Sequence, residues 1–156
     1  MNLVLEHTAR VPYFTDMRQT LADAGINATD FDWYVSDLET NFSVPELGSG
    51  DCWLKGAELA GALQRNGLQF IWAVFSAFVP GHGNYAVKTP PVADRNQRYW
   101  RPPEVVPELP EAQFEIVCWD SGATLLIGLA ENQGKKYLAA NPEARSLSGT
   151  WPRSAA

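Results

Sequence analysis

The chain contains no apolar run long enough to cross a bilayer. Its longest, LQFIWAVFSAFV at 68–79, falls well short of the roughly 18 to 20 residues a spanning helix needs and reads as a core strand. The N-terminus MNLVLEHTAR has no basic leader, no extended apolar segment and no cleavage site, so a cytoplasmic location is expected. Histidine and cysteine are scarce, with two of each. They show no HxxxH or CxxC spacing, so no metal centre and no cofactor are expected. Cys52 and Cys118 each adjoin a tryptophan and read as reduced, buried thiols. No GxSxG elbow is present, which removes the usual signature of a serine nucleophile.

Positive charge is also in short supply. Twelve Lys and Arg face eighteen Asp and Glu, for a net charge of −6. The imbalance is local: Asp23, Asp30, Asp32, Asp37, Glu39, Glu46, Asp51 and Glu58 are opposed between 23 and 58 by Lys55 alone, a local charge of −7. Such a field repels phosphates and anionic lipids and attracts cations. Neither nucleic acid nor membrane is expected as a partner. A basic protein is.

What is present suits one globular domain. The chain has 156 residues, 46% of them hydrophobic, enough for a single core. We read residues 1–147 as that domain and SLSGTWPRSAA, chiefly 148–156, as a mobile tail. NLVLEH (2–7) alternates and predicts a first strand. Val11, Phe14, Met17, Leu21 and Ala24 recur at helical spacing from Pro12, with Gly25 as the stop and Leu21 and Ile26 as the apolar pair of a Schellman ending. FDWYVSD predicts a strand with Phe31, Trp33 and Val35 on one face and Asp32, Tyr34 and Ser36 on the other. A second helix is predicted over 57–66, closing on Gly67 with Leu63 and Leu68 in the same two slots. QFIWAVFSAF then predicts a central strand, with Trp72 and Phe75 in the core. These three elements can form a right-handed β-α-β crossover.

Residues 80–112 hold seven of the eleven prolines and predict a long binding loop, or a short strand around NQRYW. AQFEIVCWD and ATLLIGLA predict a hairpin, and 131–141 a closing helix that stops before Pro142. The expected fold is α+β or α/β: a mixed sheet of four to five strands, two helices packed on it, and a C-terminal helix.

Several groups are candidates for chemistry. Asp37 and Glu39 follow Trp33 and Val35 on the same pleat face, so the strand's buried side is expected to become acidic as it leaves the sheet. With Asp120 they could form an acid–base cluster, or simply a solvated acidic surface. GSGDCWLKGAE (48–58) lies where a phosphate loop would lie, but its order is Lys55-Gly56 and carboxylates flank it; Gly56 reads instead as a helix cap. His82, between glycines, reads as exposed. Trp53 and Trp100, with Arg98 and Arg101, have the composition of interface anchors. Arg95, Arg98 and Arg101 could also pair with the acidic segment.

No catalytic constellation stands out. In size, acidity, lack of a leader and lack of a site, the chain resembles the small bacterial immunity proteins encoded beside toxins, a likeness of class rather than of motif. That resemblance implies a non-catalytic domain that covers a basic toxin. From the charge of the 23–58 segment, Asp37, Glu39 and Asp51 are expected to form the acidic contact surface. Two alternatives remain: a small hydrolase or glycosidase built on the carboxylates, and a homo-oligomer that buries Trp100 and the proline-rich loop.

Overall fold

The computed structural model describes residues 1–6, 15–82, 85–100 and 105–147. Among the described residues, seven strands form one sheet in the order β3-β2-β4-β5-β6-β1-β7. These are β1 (Leu3–Glu6), β2 (Asp32–Thr40), β3 (Cys52–Lys55), β4 (Phe70–Phe78), β5 (Phe114–Trp119), β6 (Ala123–Ile127) and β7 (Arg145–Ser146). Every neighbouring pair is antiparallel. The expected mixed sheet of four to five strands is therefore corrected to seven antiparallel strands. β2 and β4 run side by side in opposite directions, so no crossover joins them. The short edge strand β3 replaces part of the expected loop and carries the chain back along β2.

Three helices among the described residues cover one face: α1 (Met17–Ala24), α2 (Gly56–Ala62) and α3 (Glu131–Ala140). Asp16 caps α1 by accepting Gln19 N–H at 3.1 Å. Gly25 ends it at φ 67°, and Ile26 N–H returns to Leu21 C=O at 2.9 Å, the Schellman closure. The second glycine ending differs: α2 stops at Ala62, and Gly67 sits in a later turn at φ 71°. Met17, Leu21, Leu59 and Tyr137 pack on Trp33, Val35, Phe75 and Ile116. Phe31, Trp33 and Phe114 meet edge to face at 5.1–5.8 Å, a geometry favoured by the ring quadrupoles.

The opposite face carries the proline-rich strap, described over 85–100 and 105–112. Ala93, Tyr99, Trp100 and Val105 bury Val4, Val74, Val117 and Leu125, while Val87 and Leu109 close over Tyr34 and Phe78. NQRYW is not a strand: Gln97–Trp100 forms one 3₁₀ turn whose last two residues plug into this layer. With helices on one side and strap on the other, the central strands are buried on both faces. Trp72, expected in the core, is instead half-buried at the margin of the strap layer. The predicted tail lies outside the described residues, as do His7 and Arg101. Among the described residues, no helix is long and apolar enough to cross a membrane.

Candidate functional site: the bulged end of β2

Ser36 pairs with Val74 and Glu39 with Trp72, so two residues of β2, Asp37 and Leu38, face one residue of β4. This is a β-bulge, and Asp37 adopts φ 53° within it. The extra residue reverses the alternation. Leu38 turns in beside the helices, and Glu39 emerges on the strap side opposite Trp72. Glu39 therefore does not share a face with Trp33 and Val35, contrary to the reading from strict alternation.

Asp37 occupies the bend for a structural purpose. Its Oδ2 accepts the N–H groups of Ala93 at 2.8 Å and Asp94 at 2.9 Å, and its own N–H donates to Asp51 Oδ1 at 3.0 Å. Ser36 Oγ adds a bond to Pro91 C=O at 2.7 Å. Asp37 thus latches the strap, while Asp51 braces the bulge from the edge of the sheet. Asp51 and Glu39 are both exposed, and among the described residues no hydrogen bond or ion pair reaches the Glu39 carboxylate.

The rest of the acidic segment is largely engaged as well. Asp32 is nearly buried, accepts Gly81 N–H at 2.9 Å and pairs with Lys55 Nζ at 3.2 Å. The Gly81 N–H, aided by Lys55 against the opposing effect of burial, holds its carboxyl below the ordinary range. Lys55, the cation a phosphate loop would need, is committed to Asp32. Glu46 takes both contacts from Arg65, at 2.6 and 2.7 Å. Glu58 accepts Lys55 N–H at 2.7 Å, one half of a capping box, so Gly56 is the first residue of α2 rather than its cap.

The other candidates are placed as follows. Trp100 is 0% exposed, and its ring abuts Trp119 at 5.4 Å, so it is part of the core and not a surface anchor, and it presents no surface to a second copy of the chain. Trp53 is half-buried on the edge strand, donates Nε1–H to Tyr85 C=O at 2.9 Å and packs on Tyr34 and Phe78. Arg98 pairs with Glu108 at 3.0 Å, within the strap, and Arg95 lies 3.9 Å from Asp94; neither is paired with a carboxylate of 23–58. His82 stacks on Phe78 and meets Glu111 at 2.6 Å.

One functional-looking group escaped the sequence reading. Glu115 is 0% exposed beneath the strap. It accepts Ser76 Oγ–H at 3.0 Å, Tyr99 O–H at 2.9 Å and Leu109 N–H at 3.2 Å. Burial pushes its carboxyl above the ordinary range, although these donors oppose the shift. The signal was a lone Glu in the apolar run of β5, where alternation groups it with Val117 on the strap face.

Among the described residues, no three His, Cys, Asp or Glu side chains converge as metal ligands. A pocket of about 80 Å³ lies between α1 and the end of α2, lined in part by Asp16, Arg18 and Arg65. It is far smaller than the roughly 300 Å³ at which small-molecule sites begin, and Asp37, Glu39 and Asp120 are not in its lining. Compared with known proteins, the chain matches no family model, no curated protein and no solved structure.

Proposed function

We propose that the chain is a non-catalytic binding domain whose acidic rim, at the bulged end of β2, engages a basic protein. The observation that carries this reading is the exposure of Glu39 and Asp51 on one end of a sheet whose other carboxylates are largely engaged internally. A net charge of −6 gives the rim long-range attraction for cations. Immunity to a cationic toxin in the cytoplasm is the specific form of this function that the class resemblance suggests.

The catalytic alternative draws less support. Asp37, its central acid, is tied to two backbone amides and to the strap's position. A general acid or base needs a reactive proton within reach of substrate.

Co-expression with the product of the adjacent gene tests the proposal. A stable complex on size exclusion, lost when Glu39 is reversed to lysine, is the expected result. A neighbouring product that is not basic, or that never co-elutes with the chain, would count against it.

A further inference from the structure

Beside the bulge, three side chains form a row across the strap face. Glu39 stands opposite Trp72 in the β2–β4 register. Trp72 and Trp119 bring their rings to 5.2 Å at 66°, so one indole edge meets the other's face. Trp119 in turn rests against Trp100 at 5.4 Å and 79°. Trp100 is fully buried, which fixes Trp119 from below. Trp72 and Trp119 are only half-buried, and Glu39 is exposed. The result is a preorganised corner of two indoles with a carboxylate beside it.

We propose that this corner receives one arginine side chain of the basic partner. The proposal rests on the acidic-rim reading and names the chemistry of its anchor. Three arguments select arginine. An indole face attracts a cation through its quadrupole. A guanidinium is planar and weakly hydrated, so it can stack on a ring while donating to a carboxylate; an ammonium cannot do both as well. The carboxylate in the row has no partner within the described chain, so a cation arriving there displaces no existing ion pair.

The test uses the full chain with hexa-arginine and hexa-lysine peptides at low ionic strength, read by the indole N–H resonances. Hexa-arginine should bind about 3- to 10-fold more tightly than hexa-lysine. The indole signals of Trp72 and Trp119 should move, while that of Trp33, on the helix face, should not. Glu39→Gln and Trp72→Leu should each remove most of the preference; Glu39→Gln lies on the surface and keeps the result readable if Trp72→Leu folds poorly. Equal binding of both peptides with unmoved Trp72 and Trp119 signals would overturn the arginine corner and leave the acidic rim standing. Failure of both peptides to bind would overturn the arginine corner and the acidic rim together.

Discussion

Asp37 Oδ2 accepts the backbone N–H of Ala93 at 2.8 Å, and through this bond the bulge in β2 holds the proline-rich strap against the sheet. Replacing Asp37 by alanine leaves two strap amides without their acceptor. Asp37→Ala should cost about 1–3 kcal/mol in urea unfolding and should speed amide exchange at Ala93 and Asp94. Asp37→Asn should cost less, since asparagine keeps an acceptor and tolerates positive φ. Equal exchange rates at Ala93 in wild type and Asp37→Ala would mean that Asp37 does not hold the strap.

Glu115 is the second latch. Glu115→Ala would strand the hydroxyls of Ser76 and Tyr99 and the N–H of Leu109 in a dry layer, so a loss of about 3 kcal/mol is expected. Because burial raises its folded pKa, the native state binds this proton more tightly than the unfolded chain does. The associated stability is complete below the ordinary glutamate value and declines as pH rises from there through the raised folded value. Glu115→Gln should flatten that decline, as measured by unfolding across a pH series. An unchanged pH profile would show that Glu115 does not titrate in this range. Asp32 has the opposite sign: its lowered pKa contributes stability above the ordinary aspartate value, lost as pH falls through the folded one.

Two glycines of α2 should respond in opposite directions. A Cβ on Gly56 would lie 2.3 Å from Ala28 O and 2.6 Å from Phe31 O, both backbone atoms that cannot step aside. Gly56→Ala should therefore cost about 3 kcal/mol. Gly61, within the same helix, has nothing within 4 Å of the corresponding position. Gly61→Ala should stabilise by up to about 1 kcal/mol. Thermal unfolding of the two variants separates these effects, and equal midpoints would contradict the packing described for α2.

Local signals in the sequence served well where local physics decides the outcome. The Schellman pair Leu21 and Ile26 was legible because Gly25 and its apolar neighbours define the closure within a few residues. The Asp120–Gly122 turn was legible too, and Gly122 N–H closes it on Trp119 C=O at 2.9 Å. Strand partnership is decided by distant residues, so the antiparallel β2–β4 pairing and the edge strand at Cys52–Lys55 were not. At the candidate site, Asp37, Glu39 and Asp51 could be named, but not told apart. One inserted residue in β2 sends Glu39 outward and turns Asp37 to the strap, and no alternation rule contains that shift. Trp100 misled for a related reason: its Arg- and Pro-rich flanks resemble an interface, yet a 3₁₀ turn points the ring into the core.

The central claim is that the acidic rim recruits a basic partner, and the association rate tests it most directly. Asp37 and Asp51 are unsuitable for charge reversal, since both brace the bulge; Glu39→Lys alters charge with no internal partner lost. Binding of the adjacent gene product should be followed by stopped flow at about 20 and 300 mM salt, with wild type and Glu39→Lys. The account predicts that association slows at the higher salt, because charges farther apart than a few ångströms are then screened. It also predicts that Glu39→Lys is slower than wild type at low salt while its unfolding curve is unchanged. An association rate indifferent to both salt and Glu39→Lys would contradict the claim and leave the acidity a matter of solubility alone.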